Sequence, residues 1–317
     1  MKPVAHTEKG AALLAAMVTV ALVASLASAA LWMQWRQVEI EIAERGRDQT
    51  RWMMTGAFDW TRLILSEDAR TSSDVDHLGE PWAIPVEESK LSTFLSQDKQ
   101  WREGDPEVYL SGGITDAQAR LNLQSLMSGE TLDPFQFDTL SRIFEQLDLP
   151  PKELEALVLN WGKTSSNKST SPLQPQNMDQ LAWFGLSPKT IYTLKPYVTI
   201  LPEATPVNVN TASELVLSAL LQGHGLGQEQ ALLLIKDRLL KPWSNFEATS
   251  KILNSANANR LNSKVIDVKS QYFEIRGRLR IDHTVQNEVL LIKREGSQTK
   301  VLSRVRATVK SIGTAQS

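Results

Sequence analysis

The side chains that most often carry catalysis or bind transition metals are scarce in this sequence. Its 317 residues include no cysteine and only four histidines, His6, His77, His224 and His283, which lie far apart. This composition excludes disulfides, thiolate metal sites and cysteine nucleophiles, and it argues against a histidine-rich metal site. Because no Ser/His/Asp set, paired-acid motif or phosphate-loop pattern is present, an enzyme is the least supported class.

One short stretch groups residues that could bind a metal ion. It reads Asp76-His77-Leu78-Gly79-Glu80-Pro81-Trp82 and places two carboxylates and an imidazole within five positions. A surface loop around a buried tryptophan is the expected structure, because isolated acidic and histidine side chains are most often solvated. The sequence alone therefore assigns no metal to this stretch.

A second stretch, Pro206 to Arg238, has the pattern of a helix-hairpin-helix. Asn210-Thr211 is predicted to cap a helix that begins near Ala212, and Gly225 and Gly227 form the turn before the next helix. Backbone amides after such a turn can hold a phosphate, so a DNA-binding function is an alternative. A purely structural turn that packs two helices is the favoured interpretation.

The charge balance supports the structural interpretation of this turn. The chain has 34 Lys+Arg against 36 Asp+Glu, and 42% of its residues are hydrophobic, as in ordinary globular proteins. Between Pro206 and Asn262 only five basic residues face four acidic ones. A nucleic-acid partner is therefore not expected, since phosphate binding requires a basic surface.

The N-terminal region carries the strongest signal in the sequence. Ala11 to Met33 contains no charged residue, and as a helix it spans about 34 Å, enough to cross a bilayer core. Trp32 and Trp35 follow where an interfacial aromatic belt would lie, and Lys2 and Lys9 precede the segment, which predicts a cytoplasmic N-terminus. A cleaved secretory signal, a plain signal anchor and a processed leader remain alternatives.

The rest of the sequence alternates between helical and extended patterns. Helical spacing continues from Gln37 to about Arg70, and residues 71–105 are predicted to form loops with short strands. Val108 to Leu123 is predicted to form a hairpin or a strand that leads into a helix, with Gly112-Gly113 at the turn. Thr131 to Pro202 is predicted to be helical, with Pro150-Pro151 starting a new helix.

From Lys264 to Val309 the sequence returns to strands. Phe273, Ile275, Leu279 and Ile281 alternate with Glu274, Arg276, Arg278 and Arg280, which predicts a half-buried strand. A hairpin is predicted around Glu295-Gly296-Ser297. The arginine row could bind an anion, although a solvated sheet face is the favoured interpretation.

The junction Lys9-Gly10-Ala11 resembles a type IV prepilin cleavage site, at which a peptidase cuts after the glycine and methylates the new N-terminus. Most pilin-like subunits then carry a glutamate at the fifth mature position, where this chain has Ala15. That carboxylate neutralises the N-terminal amine of a neighbouring subunit within the membrane. A subunit without it is suited to a filament tip, where no subunit lies above it.

Taken together, the chain resembles the minor pseudopilin K family of the type II secretion system. The resemblance rests on the leader junction, Ala15, the Asp76–Trp82 stretch, Asp116-Ala117-Gln118 with Asn122, the PVNVNTASELVLSAL stretch and Lys269-Ser270-Gln271-Tyr272-Phe273. It implies an α+β fold: a long N-terminal transmembrane and spine helix, and a pilin-like α/β domain with a large inserted α-helical domain of helix-hairpin-helix or SAM-like type.

The resemblance also implies a division of the chain. Residues 1–10 would be the prepilin leader and 11–33 the transmembrane helix. Residues 34–125 would form the spine helix and the first part of the pilin-like domain, 126–262 the inserted helical domain, and 263–317 the strands that complete the pilin-like domain.

The function that the resemblance implies is assembly rather than catalysis. Members of the family cap the pseudopilus together with the minor pseudopilins I and J, so these, the prepilin peptidase and the inner membrane are the expected partners. The secretion channel or its cargo would be further contacts, with the bulk of the chain in the periplasm. Family members can also bind calcium through an acidic loop, but the corresponding stretch after Asn160-Trp161-Gly162-Lys163 has no carboxylate until Asp179, so no ligands are assigned.

Overall fold

The protein is described by a computed structural model that covers residues 9–71, 75–91, 107–164, 172–225, 227–245, 261–281 and 284–307. The chain divides into two compact units, Met1–Gly56 and Ala57–Ser317. Most of helix α1 (Lys9–Thr71, 63 residues) forms the described part of the first unit. No proline interrupts this helix, and Thr19 donates its hydroxyl to the carbonyl of Ala16, which satisfies a polar group on an apolar surface. The predicted continuous helix is confirmed.

The other elements belong to the second unit and are numbered along the chain. The helices are α2 (Pro134–Gln146), α3 (Pro151–Thr164), α4 (Pro188–Leu194), α5 (Glu214–Gly223) and α6 (Gln228–Leu240), with 3-10 turns at Pro81–Ala83, Ala117–Ala119, Leu123–Leu126 and Met178–Phe184. The strands are β1 (Val86–Lys90), β2 (Val108–Asp116), β3 (Leu121–Asn122), β4 (Met127–Ser128), β5 (Thr131–Leu132), β6 (Val198–Thr199), β7 (Val207–Asn208), β8 (Ile266–Asp267), β9 (Tyr272–Ile281), β10 (Thr284–Glu295) and β11 (Gln298–Ala307).

Five of these strands form one antiparallel sheet in the order β1-β2-β9-β10-β11. The predicted alternation in β9 is confirmed, since Phe273, Ile275 and Leu279 are buried while Arg276 and Arg278 are exposed. The predicted hairpin is also confirmed, because β10 and β11 pair across a turn in which Gly296 has φ 59°. The last three strands of the chain therefore supply most of the sheet.

The predicted turn at Gly112-Gly113 is wrong, because both glycines lie within β2. Gly112 is opposite Gly277 of β9, and a methyl group added to Gly112 would lie 2.3 Å from the carbonyl oxygen of Arg276. The two strands approach too closely at this point for a side chain. The glycines thus serve strand pairing rather than chain reversal.

Between β2 and β9 the chain forms the helices α2 to α6, packed in two apolar clusters. One cluster includes Leu140, Leu157, Trp161 and Leu194, and the other includes Val209, Leu217, Leu221 and Ile266. The prediction that a helix starts at Pro150-Pro151 is confirmed by α3. The observed mixture of helices and strands agrees with the predicted α+β class. The predicted domain boundaries and the SAM-like assignment stay predictions.

The helix predicted to begin near Ala212 begins instead at Glu214, and Ser213 caps it. The Ser213 hydroxyl accepts a hydrogen bond from the backbone N–H of Val216, while Asn210 and Thr211, the predicted caps, are buried and turn elsewhere. A serine accepts this bond as well as Asn or Thr does, and it frees the other two side chains. Their use is part of the site described next.

Candidate functional site

The N-terminal part of α1 carries the residues predicted to direct processing and membrane insertion. Lys9 and Gly10 are its first two residues, and Ala11 and Ala15 lie exposed in its first turns. The apolar stretch that follows is exposed along its whole length and is long enough to cross a membrane. An exposed helix of this composition is a candidate membrane anchor. Cleavage after Gly10 and the role of Ala15 stay predictions.

At the other end of α1, a buried arginine joins the helix to the sheet. Arg294 of β10 donates to Asp68 of α1 at 3.0 Å and also to Asp76, and its side chain is only 5% exposed. It donates as well to the carbonyl of Ser270 at 3.0 Å, and its guanidinium lies 4.6 Å from the centroid of the Phe273 ring. Three of the N–H groups of this cation are thereby directed at fixed neighbours.

The Asp76–Trp82 stretch forms a loop with Leu78, Gly79 and Pro81 exposed, and the predicted buried tryptophan is confirmed, with Asp76 and Glu80 buried beside it. The Trp82 indole donates to Glu80 at 2.6 Å, and its ring packs edge-on against Phe273 at 5.2 Å. Burial raises the pKa of Glu80, despite hydrogen bonds from the His77 backbone and Trp82 that lower it. The stretch thus packs an aromatic ring against the sheet, and the hydrogen bond to Glu80 fixes the position of that ring.

Carboxylates of Asp68, Asp76 and Glu80 come within 4.8 Å of one another, as a metal site would require. The guanidinium of Arg294 binds two of the three, and the Trp82 indole binds the third. The positive charge that balances this acidic cluster is therefore an arginine of the chain itself. Stripping it away to admit a metal would leave a buried cation unpaired.

A second buried carboxylate, Asp116, stands where β2 ends and the helical segment begins. One of its oxygens accepts from the backbone N–H of Gln118 at 2.7 Å, and the other accepts from Thr211 at 2.5 Å, Ser270 at 2.6 Å and Asn208 at 3.0 Å. Burial raises the pKa of Asp116 to about 6, and the hydrogen bonds from Ser270 and Thr211 oppose that rise. The donors come from three separate parts of the chain.

Two further amides complete this buried network. The Gln118 side chain donates to the carbonyl of Pro206 at 3.2 Å and accepts from the backbone N–H of Gln271 at 2.6 Å. Asn122 donates to the carbonyl of Glu203 at 2.7 Å and accepts from the N–H of Leu201 at 3.1 Å. We call the set Asp68, Asp76, Asp116, Gln118, Asn208, Thr211, Ser270 and Arg294 the polar junction.

The polar junction brings together stretches that the sequence analysis singled out separately. The Asp76–Trp82, Asp116–Gln118, PVNVN and Lys269–Phe273 stretches all contribute. Asn208 joins two of them, because its side-chain amide donates to the carbonyl of Asp76 at 3.1 Å and to the Ser270 hydroxyl at 2.9 Å. Sequence reasoning missed Arg294 as the central cation, because nothing in its neighbours along the chain distinguishes it from surface arginines.

Gly225 and Gly227, predicted to form a helix-hairpin-helix turn, lie between α5 and α6, and the assignment of this motif stays a prediction. Gly225 has φ 84°, which a residue with a side chain rarely adopts, and Gly227 precedes the first residue of α6. The first turn of α6 carries Glu229 and no basic residue, and Arg238 donates to the carbonyl of Val209 at 2.7 Å. An acid in the first turn disfavours a phosphate at this helix end.

The stretch compared with a calcium loop has structural partners instead. Trp161 is buried against Phe184, and Asn160 donates to the Phe184 carbonyl at 3.3 Å. Lys163 donates to Asn160 at 3.2 Å, and Asp179 pairs with Lys195 at 2.7 Å. Within residues 151–164 and 172–184 these groups form no cluster of carboxylates, and the remainder of the loop lies outside the described residues.

The arginine row on β9 is partly neutralised by acids of the chain. Arg276 pairs with Glu274 at 2.6 Å and Arg280 with Glu88 at 2.9 Å. Burial alone would raise the pKa of Glu274, but Arg120 and Arg276 lower it to about 2. These pairs fit the favoured interpretation of a solvated sheet face.

Comparison with known proteins shows what this chain is similar to. Residues 207–269 match the family model of type II secretion system (T2SS) protein K. The type II secretion system protein K of Pectobacterium carotovorum subsp. carotovorum is 22% identical over 94% of this chain and 96% of its own length. The protein of the same name from Klebsiella pneumoniae is 27% identical over 77% of this chain and 79% of its own.

A solved structure shares the fold. The structure of the GspK-GspI-GspJ complex from the enterotoxigenic Escherichia coli type 2 secretion system contains a chain that matches with a TM-score of 0.64 and 18% identity, over 84% of this chain and 98% of that one. The family model, the relatives and the solved structure agree with the resemblance seen in the sequence, and the chain is similar to type II secretion system protein K over most of its length.

Proposed function

We propose that this chain is a non-enzymatic minor pseudopilin that forms the tip of the pseudopilus and supports export of proteins across the outer membrane. The observation that carries the proposal is the fold, which matches a chain of the GspK-GspI-GspJ complex over nearly all of that chain. The minor pseudopilins I and J of the same system are therefore its proposed partners. The helical segment between β2 and β9 supplies the bulk that keeps the subunit from packing inside a filament.

The membrane end of the molecule supports the same proposal. α1 begins with the proposed leader junction at Lys9-Gly10 and continues as an exposed apolar helix. The mature chain would begin at Ala11 in the inner membrane, with the second unit in the periplasm. Because the fifth mature residue is Ala15 rather than glutamate, no carboxylate is available to neutralise the amine of a neighbouring subunit. This subunit would therefore lie at the end of the filament.

The polar junction supports an assembly role rather than a catalytic one. Its carboxylates are buried and bound by donors of the chain, so they hold elements together and are closed to a substrate. A surface depression of about 460 Å³ at the start of the helical segment offers only Glu130 and Lys163 among apolar side chains. Neither feature presents an activated nucleophile.

Maturation is tested by intact mass and N-terminal analysis of the membrane-extracted chain, co-expressed with its prepilin peptidase. The expected product begins at Ala11 and is N-methylated. Gly10→Leu should stay uncut, while Gly46→Leu, an exposed helical glycine with open space around it, is the matched control and should be processed. A product that begins at Ala30, after the small-residue sequence Ala27-Ser28-Ala29 at which a secretory signal would be cut, or an intact leader in the native chain, would remove the pilin-like class.

Tip assembly is tested with the full-length chain, extracted in detergent with tagged I and J subunits. A stable complex containing all three is expected, and a chain that stays monomeric with both partners in excess would contradict the tip role. The DNA-binding alternative predicts salt-sensitive binding of a duplex by the same preparation. That binding would have to disappear in Gly225→Val for the alternative to replace the present proposal.

A further inference from the structure

Arg36 is the first charged residue after the apolar stretch of α1, and it lies against an exposed aromatic ring. Its guanidinium carbon is 5.8 Å from the centroid of the Trp32 ring, and Trp32 and Trp35 are 59% and 62% exposed. Residues 32 and 36 are four apart on the helix and so share a face. Among the described residues, no acidic side chain forms an ion pair with Arg36.

The position of Arg36 along the helix is set by length. No charged residue lies between Lys9 and Arg36, and the helix from Ala11 to Met33 is about 34 Å long, against about 30 Å for the hydrocarbon core. A guanidinium one turn beyond this span reaches the depth of the headgroup phosphates. The next acid, Glu39, lies a further turn away, and Glu41 is already bound by Arg45.

We propose that Arg36, stacked on Trp32, binds the phosphate of a phospholipid headgroup and thereby sets the residue at which α1 leaves the bilayer. A planar guanidinium matches phosphate oxygens two at a time, and a ring on its other face limits its motion. The ligand is thus the phosphodiester of a membrane lipid. The inference rests on the proposed membrane anchoring and adds a specific contact to it.

The absence of cysteine makes the test direct, because single cysteines can be placed without background. The full chain carrying one cysteine at Met33, Gln34, Gln37 or Val38 is reconstituted in phosphatidylethanolamine and phosphatidylglycerol vesicles. Reaction with a membrane-impermeant maleimide is then timed at each position. We expect protection at Met33 and reaction at Gln37, which places the boundary beside Arg36.

Arg36→Gln should move the boundary one turn outward and slow reaction at Gln37 about fivefold, equivalent to about 1 kcal/mol of attraction per cation at an anionic surface. Arg36→Glu should shift the boundary in the opposite direction and speed the reaction at Gln37, because a carboxylate is repelled by phosphate and stays in water. Arg36→Lys should retain most of the native pattern. The matched control is Arg47→Gln, an exposed arginine farther along the same helix, which should change nothing.

Phosphate itself is tested by exchanging the lipid. In vesicles of digalactosyl diacylglycerol, which have no phosphate, the native chain should behave as Arg36→Gln does. An unchanged boundary in Arg36→Glu, or in galactolipid vesicles, would overturn the proposal while leaving membrane anchoring intact. Reaction at Met33 as fast as at Gln37 would instead overturn the anchor, and this inference with it.

Discussion

Replacing Gly112 by alanine should destabilise the second unit, whereas the same change at Gly113 should not. A methyl group on Gly112 would lie 2.3 Å from the carbonyl oxygen of Arg276, far inside contact distance, and the obstacle is backbone that cannot rotate away. On Gly113, the methyl group would meet Pro85 Cα and Cβ at 3.7 Å, an ordinary contact. The same substitution is thus expected to have opposite effects on stability at two adjacent positions of one strand.

The magnitudes follow from two opposing effects. Alanine in place of glycine restricts the unfolded chain and stabilises by about 0.4–1 kcal/mol where the native backbone accepts it, as expected at Gly113. At Gly112, β2 must move away from β9, and overpacking of this kind costs about 1–3 kcal/mol. The two variants should therefore differ by roughly 1–4 kcal/mol in the free energy of unfolding.

The measurement is urea unfolding of the full-length chain in detergent, followed by tryptophan fluorescence. Hydrogen exchange provides a local check, since the amides of Ile114 and Ile275, which are paired across β2 and β9, should exchange faster only in Gly112→Ala. If Gly112→Ala were as stable as Gly113→Ala, the close approach of the strands would be wrong, and with it the explanation of the two glycines.

Three further predictions concern the junction and the turn. Arg294→Met should lower the free energy of unfolding by about 3–5 kcal/mol, because two buried carboxylates lose their cation. Arg142→Met, which breaks a partly exposed pair with Asp138, should cost less than about 1 kcal/mol, and the urea midpoints of the two variants compare them. The folded pKa of Asp116 is about 6 and lies above its ordinary value of 3.8, so the folded state binds the proton more tightly. This group should therefore add up to about 3 kcal/mol to the free energy of unfolding as the pH falls from 7 to 4. Asp116→Asn should abolish that gain in the same pH titration. Gly225→Val should cost about 1–2 kcal/mol because its φ of 84° is strained for a β-branched residue, and a thermal midpoint equal to that of the native chain would contradict the turn geometry.

Much of the fold could be predicted from local pattern, because each correct element is defined by neighbouring residues. The apolar helix, the alternation in β9 and the hairpin at Gly296 all follow from spacing along the chain. Gly112 could not be assigned this way, since its requirement comes from the carbonyl of Arg276, a residue distant in sequence. Glycine pairs are most often turns, and only the register of β2 with β9 shows otherwise.

The polar junction could be predicted only in part, because its residues are joined by contacts between segments that are distant in sequence. Its stretches were noticed because polar residues stand out among apolar ones, but their partners lie far along the chain. Asn210 and Thr211 were assigned as helix caps on local grounds, whereas Asn210 binds the backbone of Trp243 and Thr211 binds Asp116. A side chain that satisfies a distant buried group cannot be told from a cap without the tertiary structure.

The pairing of β2 with β9 also governs the order in which the chain can fold. Asp116 lies opposite Phe273, so the sheet joins segments that are separated by the entire helical segment. The N-terminal residues are synthesised first, so the edge of β2 that pairs with β9 stays uncovered until the last strands have been made. Such distant pairings are slow to form, and an uncovered edge is prone to aggregation in the meantime. Pairing of the last strands of the chain with β2 is thus the step that completes folding of the subunit.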